Sequence, residues 1–223
     1  MDRMRAFVAI LPPPEVVEHL EDFLAPRREA LAERRQWRWT RTEHLHITLA
    51  FIPELEDWRE EALVEAGQEW AGRQDPVHLR LARAGAFPDP GAARVLWAGV
   101  EELDAQDAGA AGPDAGATGP DAGAPGPAGG ATLGTWAKGL RAIANHAGVR
   151  VDGTRFHPHL TLARAVGGPR PAGHLLQSLD TLRAPAWPVG QVALVASHLG
   201  EGPRRTPRYE VRHAWSLGTP AED

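Results

Sequence analysis

The sequence His44-Leu45-His46-Ile47-Thr48-Leu49-Ala50 occurs a second time, with two substitutions, as His157-Pro158-His159-Leu160-Thr161-Leu162-Ala163. Both copies share the pattern His-x-His-x-Thr-Leu-Ala, and each lies in a short apolar run of the kind that forms a β-strand. Each copy also follows a segment with helical periodicity. The repetition predicts a duplicated unit, in which each half contributes a helix, a connection and a strand that carries the motif.

Apolar periodicity along the rest of the chain predicts a mixture of strands and helices. Strands are expected at 5–11, 37–40, 45–52, 77–86, 95–100, 159–165, 189–199 and 209–217, and helices at 14–35, 58–72, 133–147 and 174–182. Pro53 is expected to end the third strand, because proline cannot donate a hydrogen bond to a sheet. No glycine-rich phosphate loop follows a strand, which excludes the Rossmann and P-loop classes.

The composition narrows the possible functions. The 223 residues include no cysteine, which excludes disulfides, zinc–thiolate sites and thiol nucleophiles. The formal net charge of −5 argues against a broad, charge-driven nucleic-acid binder. No apolar run approaches the roughly 20 residues that span a membrane, and the short run at 6–11 meets three prolines, which makes it a poor signal peptide. The chain is therefore expected to be soluble and cytoplasmic.

Residues 104–131 differ in composition from the rest of the chain. They are almost entirely alanine, glycine, proline and aspartate, and the sequence Gly-Pro-Asp-Ala-Gly-Ala occurs in them twice. A segment without large apolar side chains cannot offset the entropy that it loses on ordering. We therefore expect one domain over residues 1–223, with a flexible insertion at about 104–131.

The spacing of the motif indicates acid–base chemistry. Alternate side chains of a strand share a face, so His46 and Thr48 point the same way, and so do His159 and Thr161. If the two strands face one cleft, it contains two imidazoles and two hydroxyls. One neutral histidine can then accept a proton while the other, protonated, donates one. Such a site suits phosphodiester cleavage without a metal, with the hydroxyls bonded to phosphoryl oxygens.

Other residues near the motifs are candidates for supporting roles. His44 and His157 are expected to support the site or lie at the cleft rim, although two His-x-His pairs could instead bind a metal. Phe51 could line a nucleobase pocket. Arg164 would lie on the opposite strand face from Thr161 if pairing stays regular, but could reach a phosphate at a strand end or twist. Six arginines before the first motif are expected to be solvated surface charges: Arg27, Arg28, Arg34, Arg35, Arg38 and Arg41.

These residues resemble the 2H phosphoesterase superfamily, which is named for two His-x-Ser/Thr-x motifs. The closest resemblance is to the bacterial and archaeal RNA 2′,3′-cyclic phosphodiesterases, also called 2′-5′ RNA ligases. It covers most of the chain, in these segments: 5–11, Trp39, 46–51, 85–88, 94–97, 156–164, 197–199 and 209–211. The tract at 104–131 departs from the family pattern and leaves both motifs intact.

The resemblance implies an α+β fold that is bilobal and pseudo-duplicated, with antiparallel sheets lining a central cleft and helices outside. It implies hydrolysis of an RNA 2′,3′-cyclic phosphate end to a 2′-phosphate. The cleft chemistry itself needs only a monomer, and no cofactor is expected. His46 would donate a proton to the leaving 3′ oxygen, and His159 would accept one from water. Thr48 and Thr161 would hold the phosphate with help from Arg164.

Three other functions are compatible with the sequence. Reversible 2′-5′ RNA ligation is the same chemistry run backward, with an RNA 5′-hydroxyl as the nucleophile. A non-catalytic RNA- or nucleotide-binding module would bind without turnover, and a structural domain would have no affinity for cyclic nucleotides.

Overall fold

A computed structural model describes residues 3–104, 131–152, 155–202 and 206–218. The strands are β1 (Arg3–Ile10), β2 (Trp37–Trp39), β3 (Ile47–Glu56), β4 (Val77–Phe87), β5 (Val95–Leu103), β6 (His159–Ala165), β7 (Trp187–Val189), β8 (Gln191–His198) and β9 (Arg208–Ser216). The helices are α1 (Pro14–Ala30), α2 (Asp57–Gly72), α3 (Ala131–His146) and α4 (Gly173–Leu179). A 3₁₀ turn, Thr42–His44, precedes β3.

The nine strands form one curled antiparallel sheet, in which the order is β7-β4-β5-β6-β3-β1-β8-β9 and β2 pairs with β6. The order divides at the contact between β6 and β3 into two halves of four strands. At the centre, each half begins with a motif strand, β3 or β6. The next strand outward is β1 beside β3 and β5 beside β6, and one helix, α1 or α3, lies between the two strands in the chain. The mixed α+β class and the duplicated architecture are therefore confirmed.

The main core fills the space between the sheet and the helices. Helix α2 contacts α3 and β9, α3 also contacts β3, and α4 contacts β4. Large side chains from several elements are almost wholly buried there, among them Leu20, Trp136 and Trp215. The other face of the sheet carries a second, smaller cluster of Phe7, Ala9, Ala193 and Val195. This second face is where the motif side chains lie.

The predicted and observed elements differ at three places. Strand β3 continues through Pro53 to Glu56, because the β1–β3 register shifts between Met4 and Ala6 and proline is tolerated at such a bulge. Helix α1 ends at Ala30 rather than near residue 35, since the residues that follow offer little apolar surface to the core and form tighter turns. Strand β7, only three residues long, was not expected as a separate element.

The remaining expectations concern the insertion and membrane-spanning segments. The insertion predicted at about 104–131 lies almost entirely outside the described residues. In the described ranges, no helix is both long enough and apolar enough to cross a membrane.

Two glycines in helices give a matched test of how tightly the core is packed. A Cβ added at Gly67 in α2 would lie 2.4 Å from the indole of Trp215, whereas one added at Gly134 in α3 meets nothing within 4 Å. We predict that Gly67→Ala lowers the free energy of unfolding by about 1–3 kcal/mol through overpacking. Gly134→Ala should raise it by about 0.5–1 kcal/mol, because alanine favours helix. Urea denaturation of both variants measures this, and equal effects would contradict the proposed packing.

Candidate active site

The two motifs meet side by side at the centre of the sheet. Strands β3 and β6 are antiparallel, and the paired residues between them are Ile47 and Leu160, close to the start of each strand. Both strands leave this point in opposite directions. Continuing the register by one residue each way sets His46 opposite Thr161 and Thr48 opposite His159. Each imidazole therefore lies beside the hydroxyl of the other motif, on one face of the sheet.

A β-bulge follows each threonine and changes which residues share its face. In the second half, Trp97 pairs with Thr161 and Leu96 with Ala163, so Leu162 is the extra residue. The next pair is Val95 with Arg164. Because Trp97 and Val95 lie on one face of β5, Thr161 and Arg164 also share a face. The pairing is not regular, and Arg164 points into the site rather than away from it.

The first half contains the same irregularity. Ala9 pairs with Thr48, Val8 with Ala50 and Phe7 with Phe51, which leaves Leu49 as the extra residue. Phe51 therefore shares the face of Thr48. Its ring packs against the cluster around Phe7, and the guanidinium of Arg5 lies 5.0 Å from its centroid. Phe51 and Arg164 occupy equivalent positions in the two halves, so the residue after the bulge is aromatic in one half and cationic in the other.

Each motif histidine is held by the carbonyl two residues before it. The Nδ1 of His46 lies 2.7 Å from the carbonyl oxygen of His44. The Nδ1 of His159 lies 2.7 Å from the carbonyl oxygen of His157. Since a carbonyl oxygen only accepts hydrogen bonds, each Nδ1 carries the hydrogen and donates it. This arrangement fixes the tautomer and leaves each Nε2 free for proton transfer.

Aromatic rings hold the first imidazole. Phe7 stacks on His46 with ring centroids 4.5 Å apart, and Tyr209 meets the same ring edge-on at 5.6 Å. The ring of His44 contacts Tyr209 at 4.5 Å. A small pocket of about 100 Å³ adjoins these rings and extends to Val211.

Aromatic rings also hold the second imidazole. Phe87 lies edge-on to His159 at 5.0 Å, and Trp97 lies 6.4 Å from it. Trp97 also contacts the exposed His157 at 4.9 Å. Trp97 therefore contacts both histidines of the second motif.

The site disfavours the charged form of both motif histidines. Burial is the main cause that lowers the pKa of His46 to about 4, and the positive charges of His159, His44 and Arg164 lower it further. Burial, followed by the charges of His157 and Arg164, also lowers the pKa of His159. The accepting carbonyls act in the opposite direction on both rings. Because His159 repels a proton on His46, the pair favours at most one proton.

The supporting histidines contribute through their backbones as well as their rings. His44 is half-buried and His157 is exposed, and the carbonyl of each orients a motif imidazole. Among the described residues, no group of three or more His, Cys, Asp or Glu side chains could hold a metal ion. The expectation of a metal-free reaction remains a prediction for experiment.

Sequence reasoning missed several residues that shape the site. Phe7, Phe87 and Tyr209 contact motif histidines but belong to strands distant in the chain. Nothing in their local sequence distinguishes an aromatic ring that faces the site from one that faces the core. Only the registers of β1 with β3, of β4 with β5 and of β8 with β9 supply that information.

Comparisons with known proteins identify what this chain is similar to. A family model described as LigT-like phosphoesterase matches residues 10–97 and 125–204. An Aeropyrum pernix protein named RNA 2′,3′-cyclic phosphodiesterase is 30% identical over 78% of this chain and 85% of its own length. A Geobacillus stearothermophilus protein of the same name is 26% identical over 97% of this chain, which spans only 58% of that relative's length.

Solved structures show the same fold. A Thermus thermophilus protein superposes with a TM-score of 0.64 and 26% identity, over 96% of this chain and 98% of that one. Escherichia coli LigT in its apo form gives a TM-score of 0.62 and 25% identity, over 97% of this chain and 99% of that one. The similarity extends over nearly the whole of both chains.

The burial of His46 predicts an unusual titration in the free protein. Its ring resonances should shift with a midpoint of about 4, because the neutral form is favoured until the solution is strongly acidic. Phe7→Ala should raise the midpoint toward 6.5, since removing the stacked ring admits water. NMR titration of both proteins measures these midpoints. A midpoint at or above 6.5 in the unsubstituted protein would contradict the described environment.

Proposed function

Because the chain belongs to the LigT-like phosphoesterase family, we propose that it hydrolyses the 2′,3′-cyclic phosphate at an RNA end to a 2′-phosphomonoester. The observation that carries this proposal is the pair of carbonyl-bound imidazoles that the pairing of Ile47 with Leu160 brings to one point of the sheet. The relatives named RNA 2′,3′-cyclic phosphodiesterase support the substrate class.

In the proposed reaction, water attacks the phosphorus atom while the bond from phosphorus to the 3′ oxygen breaks. His159 accepts the proton of the water through its Nε2. His46 donates a proton from its Nε2 to the leaving 3′ oxygen. One proton enters the pair and one leaves it, so the two histidines exchange protonation states in each turnover. Because each Nδ1–H is held by a backbone carbonyl, Nε2 is the atom that transfers the proton on either ring.

The depressed pKa values are compatible with an acid–base pair. Burial favours the neutral form of both rings, and repulsion between the charged forms disfavours two protons on the pair. The anionic cyclic phosphate adds a negative charge between the rings, and this charge raises the pKa of the histidine that it touches. Binding of the substrate therefore promotes protonation of the acid.

The remaining site residues would stabilise the phosphoryl oxygens. The hydroxyls of Thr48 and Thr161 lie on the same face as the imidazoles and can donate hydrogen bonds where negative charge develops. Arg164 reaches the same face because of the bulge at Leu162, and its guanidinium can bind phosphate through two parallel hydrogen bonds. Phe51 would offer a surface to the terminal nucleobase, with His44 and His157 at the rim. No metal, cofactor or second subunit is required by this arrangement.

The proposal predicts loss of activity when either imidazole is removed. With chelator present, His46→Ala or His159→Ala should lower kcat/KM for adenosine 2′,3′-cyclic phosphate by about 100- to 10,000-fold, the usual contribution of a general acid or base. His174→Ala is the matched control, since His174 is exposed on α4 and should leave the rate unchanged. Full activity in either motif variant would refute the mechanism, and loss of wild-type activity in chelator would favour a metal. Chromatography of the product identifies its phosphate isomer.

The two histidine roles can be separated by the pH dependence of the residual rates. His159→Ala retains the acid His46, which acts when protonated, so its kcat/KM should fall as pH rises through the pKa of His46, which burial keeps low. His46→Ala retains the base His159, which acts when neutral. Its kcat/KM should rise with pH and level off below 6.5, because burial lowers the pKa of His159. Profiles of the opposite slope in both variants would reverse the assignment of acid and base.

A further inference from the structure

Two arginines face each other across neighbouring strands beside the active site. Arg38 of β2 pairs with Arg164 of β6, so the two side chains lie on the same face of the sheet. That face also carries Thr161, as the bulge at Leu162 requires. Trp37 and Trp39 flank Arg38 in β2, and both pack against the main core on the opposite side. The alternation of β2 therefore confirms that Arg38 points toward the site.

The pairing of like charges is unfavourable unless an anion lies between them. Directly opposed residues in an antiparallel pair have Cβ atoms about 4.5–5.5 Å apart, and like charges there are destabilising. Both arginines are exposed. Among the described residues, no carboxylate lies within 4.0 Å of either guanidinium group. The fold thus places two cations together on the active face without neutralising them.

Arg38 differs in this respect from other arginines in the segment before the first motif. Arg27 donates to the carbonyl oxygens of Phe23 and Ser178, while Arg28 binds Glu21 and Arg41 binds Glu43. Those contacts account for three of the arginines as structural or surface groups. Arg38 belongs to a strand, and its register directs it to Arg164.

The two arginines act differently on the reacting centre. The charge of Arg164 lowers the pKa of His46 and His159, and it opposes the rise that burial causes in the pKa of Tyr209, so it acts on the centre itself. The charges that act on these three rings do not include Arg38. Arg38 lies beside Arg164 on β2, which flanks β6 on the same side as β3, and it acts less on these rings than Arg164 does.

We propose that Arg38, with Arg164, forms a second phosphate subsite that binds the phosphodiester on the 5′ side of the terminal nucleotide. This inference rests on the proposed function, since it assumes that the cyclic phosphate lies between His46 and His159. Arg164 can then contact the cyclic phosphate, while Arg38, directly opposite it on β2, contacts the neighbouring phosphodiester. The guanidinium group suits this contact because its planar donors match phosphate oxygens. The enzyme would consequently prefer RNA ends to cyclic mononucleotides.

The preference is tested with two substrates that differ by one phosphodiester. Adenosine 2′,3′-cyclic phosphate has no phosphate on its 5′ side, whereas the dinucleotide ApA with a 2′,3′-cyclic phosphate has one. Arg38→Ala should lower kcat/KM for the dinucleotide by about tenfold, mainly through KM, the loss typical of a charged hydrogen bond. It should change kcat/KM for the mononucleotide by less than about twofold. Arg38→Lys should retain part of the dinucleotide rate by retaining the charge.

A second readout separates phosphate binding from a structural effect. Loss of one phosphate contact should flatten the dependence of log(kcat/KM) on log salt concentration by about 0.7 for the dinucleotide only. Arg183→Ala is the matched control, because Arg183 is an exposed arginine beside β4, and it should leave both substrates unaffected. Arg38→Ala should not lower the urea midpoint of unfolding, since it removes a repulsive pair.

The results distinguish this inference from the proposed function. If the unsubstituted enzyme hydrolyses both substrates but Arg38→Ala weakens neither, or weakens both equally, the second subsite is refuted and the cyclic phosphodiesterase activity stands. If the unsubstituted enzyme hydrolyses neither substrate, the proposed function fails, and this inference fails with it. A selective loss on the dinucleotide, with a flatter salt dependence, supports the subsite.

Discussion

The pairing of Ile47 with Leu160 is the contact on which the site depends. Strands β3 and β6 each begin close to this pair and run away from it in opposite directions. A pseudo-twofold relation between the halves of the sheet therefore passes near it. The four motif side chains flank the pair on one face, while Ile47 and Leu160 are fully buried on the other. A shift of the strand register by one residue would direct all four motif side chains toward the core.

The bulges after the two threonines give the symmetric scaffold an asymmetric surface. Each inserts a leucine that is buried together with the alanine that follows it. The next residue returns to the active face, and it is Phe51 in one half and Arg164 in the other. An aromatic ring and a cation therefore stand at equivalent positions. A symmetric pair of imidazoles can bind an asymmetric ligand because the residues around it differ.

Backbone hydrogen bonding and burial together define the state of the imidazoles. The carbonyl oxygens of His44 and His157 hold the two Nδ1–H groups, so orientation and tautomer are set by local chain geometry. Surrounding aromatic rings exclude water from the imidazoles, and burial disfavours charge on both. Their mutual repulsion disfavours two protons on the pair. The free site therefore favours neutral imidazoles, and a bound anion would favour protonation of one of them.

The sequence by itself determined the duplicated units, the strand class of both motifs and the common face of each histidine with its threonine, because these follow from short-range periodicity. Most helices and strands were also predictable, although Pro53 was wrongly expected to end β3. Only the tertiary structure decided that Arg164 shares the face of Thr161, that Phe7 and Tyr209 enclose His46, and that Arg38 opposes Arg164. Those facts depend on strand register and on bulges, which arise from pairing between segments distant in the chain and have no signature in either segment alone.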